Sequence, residues 1–199
     1  AAAWSGGVAT GLNPPSNGPS FDGQVADAVA GKLTGVFNGN GAEMARRMQA
    51  AVMRDSRLKV PLIFAADVIH GHRTIFPVPV AEAASFDPDL AMRTARMAAF
   101  EAAAAGIDWT FFPMVDIARD QRWGRTMEGA GEDVLLGNLF AAARVKGFQG
   151  KSLDANDAVM ACVKHFAAYG AAESGLDYNI VDLSERTLRE VYLPPYKAG

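Results

Sequence analysis

The chain has 199 residues but only one cysteine, Cys162. A single cysteine excludes an internal disulfide and any metal site built from several thiolates. Because Cys162 lies in an apolar run, we expect its thiol to be buried and unreactive. Histidine is scarce as well, with three in the whole chain, which leaves few ligands for a histidine-based metal centre.

Long apolar runs and a strong charge of either sign are also missing. No stretch is long and apolar enough to cross a bilayer. A net charge of −3 gives no reason to expect nucleic acid or an anionic membrane as partner. The first residues lack the basic segment of a signal peptide and begin without methionine, so we expect a processed, trimmed or incomplete start.

What remains is ordinary globular composition, with 50% apolar and 21% charged residues. Residues 1–30 are rich in alanine, glycine, proline and serine. They are predicted as a loop-like lead-in with one short helix near Gly23–Ala30. Residues 31–199 are then one partial domain.

Strands and helices alternate through that domain. Four apolar segments are predicted as strands: Lys32–Asn38, Pro61–Asp67, Asp108–Asp116 and Ala158–Phe166. The helices predicted after them are Glu43–Ser56, Asp87–Ala105, Glu132–Gly147 and one that Ser184 caps and Pro194 stops. Such alternation is typical of parallel βαβ units in an α/β fold.

Two ways of closing the sheet are open, a doubly wound sheet and a (β/α)8 barrel. No Gly-x-Gly-x-x-Gly motif follows the first strand, which counts against a dinucleotide-binding sheet. A barrel needs eight βα units, and about four are present. If the fold is a barrel, the chain therefore holds its first half.

Ionisable residues gather where the predicted strands end. Asp67 and His70 follow the second strand, Asp116 ends the third, and Lys164 and His165 end the fourth. The carboxyl ends of parallel strands meet at one edge, where α/β proteins usually hold their ligands.

The loop 117–131 is the most unusual segment, because its charged residues surround Trp123. Arginines give directional donors to hydroxyls, carboxylates accept from them, and an indole can cover apolar C–H faces. This composition suits a polyhydroxylated ligand. A solvated loop held by ion pairs explains it equally well.

Two other chemistries are weaker alternatives. His70 and His72 form a His-x-His pair that could hold a divalent metal, but a metal site needs at least one more ligand. Lys164, at the end of an apolar strand, could form a Schiff base. A hydrogen-bonded or ion-paired lysine is the simpler interpretation.

Several ordered motifs resemble glycoside hydrolase family 3, most closely its bacterial periplasmic β-glucosidase branch. The motifs cover about residues 32–199 and are 66–71 (ADVIHG), 73–77 (RTIFP), 84–87 (ASFD), 113–116 (PMVD), 122–125 (RWGR), 128, 131–133 (GED), 164–170 (KHFAAYG), 177–179 (DYN) and 193–196 (LPPY).

The resemblance implies a retaining β-glycosidase whose N-terminal domain is a (β/α)8-type barrel. It implies that Asp67, Arg125, Lys164 and His165 bind the hydroxyls of the terminal sugar. The family's nucleophile motif, Ser-Asp-Trp or similar, does not occur here, so we expect the nucleophile beyond Gly199 and assign no catalytic residue to this chain.

The resemblance implies no metal or organic cofactor. The expected partner is a β-glucoside or oligosaccharide, in a periplasmic or secreted setting. We also expect self-association through the open edge of the half barrel. The alternative is a non-catalytic carbohydrate-binding or assembly module that needs a partner chain.

Overall fold

The computed structural model describes residues 2–4, 20–38 and 41–199, which form an α/β fold with a parallel sheet, as predicted. The strands are β1 (Ala2–Trp4), β2 (Gly35–Phe37), β3 (Ile63–Ala66) and β4 (Trp109–Thr110). The helices are α1 (Phe21–Val29), α2 (Ala42–Asp55), α3 (Pro79–Ala83), α4 (Pro88–Ala104), α5 (Val134–Gln149), α6 (Glu185–Thr187) and α7 (Pro194–Ala198).

The four strands lie in the sheet in the order in which they occur in the chain, β1-β2-β3-β4. All three pairings are parallel, with Val36 opposite Phe64 and Ala65 opposite Trp109. A doubly wound sheet reverses its strand order at a switch point. No reversal occurs among the described strands, which favours the barrel arrangement over the doubly wound one.

The fourth predicted strand, Ala158–Phe166, is wrong as a continuous strand. It runs parallel to the segment that contains β4, but only as two isolated bridges, Trp109 with Met160 and Met114 with Lys164. The physical reason is Pro113, which has no backbone N–H and so breaks the ladder between the two bridges. The third predicted strand is shortened to Trp109–Thr110 for the same reason.

Part of the lead-in is more regular than the sequence indicates. Strand β1 was not predicted, and it pairs with β2. The predicted short helix is present as α1, whose Ala28 packs in one cluster with Val36, Met48 and Val52. Most of the predicted loop, residues 5–19, lies outside the described residues, and a domain boundary at residue 30 stays a prediction.

Two helix starts follow the predicted capping chemistry. The Asp87 carboxylate and the Ser184 hydroxyl accept from backbone N–H groups in the first turns of α4 and α6. Asp133 caps α5 in the same way, although that helix was predicted to begin at about Glu132. The helix that Ser184 caps continues as a π-helix through Leu188–Tyr192 and ends before Pro194, as predicted. Pro194 then begins α7, because a proline fits the first helical turn, where its missing N–H has no intrahelical acceptor.

Helices α4 and α5 approach each other closely because small side chains line their contact. Ala95 and Ala98 of α4 are buried in the cluster that contains Phe148 of α5. A Cβ atom added at Gly147 would meet the Met92 carbonyl oxygen at 2.5 Å. Any larger residue at Gly147 would therefore push the two helices apart.

A buried ion pair joins α3 to α5. The Arg144 Nη2 atom lies 3.1 Å from the Glu82 carboxylate and donates to the Pro79 carbonyl oxygen at 3.0 Å. Its guanidinium also lies over the rings of Phe112 and Phe140. Burial lowers the pKa of Arg144, and Glu82 opposes that shift. The pair fixes the short helix α3 onto the long helices.

None of the described helices combines the length and the apolar character that a membrane span requires.

Replacing Arg144 with methionine should lower the free energy of unfolding by about 3–5 kcal/mol, because the buried Glu82 carboxylate would lose its charged partner. The double variant Glu82→Leu/Arg144→Met should recover part of that loss, since no unpaired charge remains. Urea denaturation measures both. The control is Arg186→Met, which breaks an exposed pair with Glu190 and should cost at most about 0.5 kcal/mol.

Candidate functional site

The candidate site lies where β3, the segment after β4 and the segment 158–166 end. The first connection across it is an ion pair between Asp67, directly after β3, and Lys164. The Lys164 Nζ atom lies 3.6 Å from the Asp67 carboxylate, which is too long for a good hydrogen bond. The Asp67 side chain is 48% exposed, whereas that of Lys164 is mostly buried. The carboxylate therefore keeps free acceptor capacity at the surface.

Arg125 and Glu128 form a second, tighter pair with two parallel hydrogen bonds of 2.7 and 2.8 Å. Burial raises the pKa of Glu128, but the hydrogen bond with Arg125 and the positive charges of Arg125, Lys164 and His165 lower it below the usual value. The hydrogen bond with Glu128 likewise raises the pKa of Arg125. The Arg125 guanidinium also lies over the Tyr169 ring, 5.5 Å from its centroid.

His165 is held by the buried carboxylate of Asp116. One Asp116 oxygen accepts from both the backbone N–H and the ring Nδ1 of His165, each at 2.9 Å. The other oxygen accepts from the Tyr196 hydroxyl at 2.7 Å. Burial and the Asp116 carboxylate raise the pKa of Tyr196, so the hydroxyl keeps its proton at neutral pH.

Trp123 does not face a ligand, which corrects the expectation that its ring covers a sugar. Its side chain is buried at 1% exposure, and its indole N–H donates to Asp177 at 2.9 Å. Its ring packs edge-to-face against Tyr169. A Cβ atom added at Gly170 would collide with the Ile117 carbonyl oxygen. Trp123 therefore connects the loop 117–131 with the segment that contains Tyr169 and Asp177.

Both interpretations of the loop 117–131 find support in its ion pairs. The exposed Asp120–Arg122 pair is typical of a loop held by its own charges, and the Arg122 guanidinium lowers the pKa of Asp120 to about 2. Asp133 is used as the cap of α5. Arg125, in contrast, is only partly exposed and lies among the other candidate residues.

The loop after Asp67 offers little support for the alternative of a metal site at His70 and His72. The His70 Nδ1 atom lies 3.0 Å from the Phe76 carbonyl oxygen. The next part of the loop is tied to α4, because the Glu101 carboxylate accepts from the backbone N–H groups of Arg73 and Thr74. Burial lowers the pKa of His72. Within the described ranges, no group of three histidine, cysteine or acidic side chains is arranged to hold a metal ion.

The four predicted site residues are joined into one network. Lys164 pairs with Asp67, and the neighbouring His165 packs its ring against Tyr169 at 5.0 Å. Tyr169 contacts Arg125 in turn. The sequence interpretation did not assign a role to Tyr169, although it directly follows the Lys164–Ala168 segment. Tyr196 was missed too, and only its place in the 193–196 motif could have indicated it.

Comparison with known proteins identifies the family of the chain. The family model described as the glycosyl hydrolase family 3 N terminal domain matches residues 23–199. The chain belongs to glycosyl hydrolase family 3. The family resemblance inferred from the motifs is thereby confirmed.

Individual relatives of this family 3 chain agree with that assignment. The periplasmic β-glucosidase of Salmonella typhimurium is 49% identical over 169 residues, which are 85% of this chain and 22% of the relative. A β-xylosidase of Formosa agariphila is 35% identical over 73% of this chain and 22% of its own length.

A solved structure has the same fold in the matching region. It is that of a mutant β-glucosidase from Listeria innocua in complex with laminaribiose, with a TM-score of 0.83 and 46% identity. The match covers 86% of this chain and 24% of the Listeria enzyme. This family 3 chain thus spans about a quarter of the length of the relatives it matches.

The Arg125–Glu128 pair should make stability depend on pH. Because the pKa of Glu128 is lowered on folding, its contribution is present above the unfolded value of 4.5 and is lost as the pH falls through the folded value. We expect Glu128→Gln to be less stable than the parent by about 1 kcal/mol at neutral pH.

In thermal unfolding at several pH values, that difference should shrink as the pH falls below 4.5 and disappear once Glu128 is protonated in the folded protein. The control is Glu185→Gln, which removes an exposed pair with Arg189 and should change little at any pH. A difference that stays constant or grows as the pH falls would contradict the assignment.

Proposed function

We propose that the complete protein containing this chain is a retaining β-glucosidase, and that this chain supplies most of the subsite for the terminal sugar. The observation that carries the proposal is the network of Asp67, Arg125, Lys164 and His165, which come from three segments: the end of β3, the loop 117–131 and the segment 158–166. The names of the Salmonella and Listeria relatives support the same activity.

The chemistry of these four side chains suits a ring that carries hydroxyls. Lys164 and Arg125 supply charged donors, Asp67 supplies acceptors, and the His165 ring supplies one further polar atom. The long Asp67–Lys164 contact leaves both groups able to exchange part of their interaction for sugar hydroxyls. Hydrogen bonds of this type can strengthen in the oxocarbenium-like transition state and contribute several kcal/mol there.

We propose that the catalytic pair lies outside this chain. Retaining hydrolysis needs two carboxyl groups about 5–5.5 Å apart on either side of the scissile bond. The Asp116 side chain has no exposed surface, and its oxygens accept from His165 and Tyr196, which leaves it unsuited to attack on a sugar. Asp67 is better used as a hydroxyl acceptor. The nucleophile is expected beyond Gly199.

The proposal extends to the fold of the domain and to the cellular location of the protein. We infer that the described sheet is the first part of a (β/α)8 barrel, because its strands follow one another without reversal and all are parallel. We also infer a periplasmic or secreted location. The name of the Salmonella relative supports it, and the lone cysteine is compatible with it.

The deciding experiment compares nitrophenyl β-glucoside and β-xyloside as substrates of the complete protein. We expect turnover of the glucoside with retention of anomeric configuration. NMR measures that configuration. Preference for the xyloside would move the assignment toward the β-xylosidase relatives. Binding of glucose without turnover of either substrate would favour the non-catalytic carbohydrate-binding alternative.

Asp67→Ala in the complete protein should raise KM and lower kcat together. The lost contact holds the substrate and becomes stronger in the transition state, so kcat/KM should fall by at least about tenfold. The control is Asp89→Ala, an exposed residue in the first turn of α4, which should leave both constants unchanged. If Asp67→Ala has the kinetics of the parent, Asp67 does not bind the sugar.

The isolated 199-residue chain should hydrolyse neither substrate, because it lacks the catalytic pair. It should also self-associate through the 158–166 edge, where Phe166 is 83% exposed. Activity assays and sedimentation velocity test the two points separately. Turnover by the isolated chain would refute the first, and a cooperatively melting monomer would refute the second.

A further inference from the structure

We propose that Asp116, supported by Tyr196, is a positioning residue that fixes the ring of His165 and selects which of its nitrogens faces the sugar. This inference rests on the proposed sugar subsite and deepens it, since it assigns a task to two residues that no comparison with known proteins assigns. Asp116 itself does not touch the substrate in this scheme. It acts through His165.

The first step is the burial of the anchor. The Asp116 side chain has no exposed surface, whereas the His165 side chain is 32% exposed. A buried carboxylate is costly unless donors surround it. Here two fixed donors reach it from outside the imidazole, namely the His165 backbone N–H at 2.9 Å and the Tyr196 hydroxyl at 2.7 Å. Each oxygen of the buried carboxylate therefore has a hydrogen-bond donor besides the imidazole ring.

The second step concerns which nitrogen of the His165 ring carries the hydrogen. An ionised carboxylate only accepts hydrogen bonds. The ring Nδ1 of His165, which lies 2.9 Å from Asp116 Oδ2, must therefore carry the hydrogen and donate it. In a neutral imidazole the other nitrogen, Nε2, is then an acceptor without a proton. Nε2 makes no hydrogen bond to the described part of the chain.

The third step concerns the support behind the anchor. Tyr196 belongs to α7, so the carboxylate connects the end of the chain segment after β4 with a helix 80 residues later. The single hydrogen of the Tyr196 hydroxyl is shared between Asp116 and the His165 carbonyl oxygen, since Tyr196 has only one to donate. The backbone N–H and the ring of His165 are both held by Asp116. A ring fixed at two points loses little further freedom when a ligand binds.

The consequence is a defined polar surface for one sugar hydroxyl. With Nδ1 committed to Asp116, Nε2 is the ring atom left to accept a hydroxyl hydrogen, whereas the ammonium of Lys164 can only donate. Nε2 would then accept the hydrogen of one sugar hydroxyl, and Lys164 would donate to the oxygen of a neighbouring hydroxyl. Loss of the anchor would allow the other tautomer, in which Nε2 donates and competes with Lys164.

The test compares Asp116→Leu with Asp116→Asn in the complete protein. Leucine has a similar size but accepts no hydrogen bond. Asparagine can keep its oxygen toward His165 and turn its amide toward Tyr196, which then donates to the His165 carbonyl. We expect Asp116→Leu to lower kcat/KM by about tenfold or more, and Asp116→Asn to restore most of that loss.

A readout independent of activity is the ¹⁵N NMR spectrum of histidine-labelled protein, with His165→Gln to assign the signal. The parent and Asp116→Asn should show a protonated Nδ1 and a bare Nε2, and Asp116→Leu should show a tautomer mixture. This spectrum tests the anchor even if the protein hydrolyses no glucoside. Failure of the proposed function and failure of this inference are therefore distinguishable.

The result that overturns the inference is a folded Asp116→Leu protein whose His165 signal matches that of the parent, whatever its activity. If Asp116→Leu does not fold, Tyr196→Phe takes its place, with a smaller shift in the same direction. Asp116→Leu or Tyr196→Phe placed on a His165→Gln background should cause no further loss of kcat/KM. A full additional loss would show that Asp116 acts by another route.

Discussion

The hydrogen bonds to the buried Asp116 carboxylate are the interaction on which the candidate site depends. They join the end of the segment after β4, the backbone and ring of His165, and α7. The backbone of this segment joins the sheet through isolated bridges rather than a regular ladder, and Lys164 adds an ion pair with Asp67. The Asp116 carboxylate thus supplies hydrogen bonds where the ladder is irregular, at the position of the candidate site residues.

Helices α4 and α5, which form the scaffold of the site, are held together mainly by close packing rather than by polar contacts. Gly147 and the alanines of α4 let two long helices meet with little side chain between them. A charged pair in that layer, Glu82 with Arg144, is buried and supported by a backbone carbonyl. Exposed ion pairs such as Arg186–Glu190 add little to this stability.

Local patterns predicted the longer helices well, because a cap such as Asp87 and an apolar face such as that of α2 act within a few residues. The end of β3 followed from an apolar run stopped by Asp67. Strand β1 could not be predicted, since three residues in a glycine- and proline-rich region acquire their structure only from pairing with β2. The burial of Trp123 depends on Asp177, 54 residues away, and no local pattern records it.

The pairing of charges at the site also affects how fast a ligand would associate with it. Lys164 and Arg125 each have a carboxylate within ion-pair distance, so these positive and negative groups largely cancel. Such an arrangement has a strong field at contact and almost none beyond a Debye length. Encounter with an uncharged sugar would then be governed by diffusion and shape, nearly independent of salt. Discrimination would arise only after the ligand has displaced water and reached the paired groups.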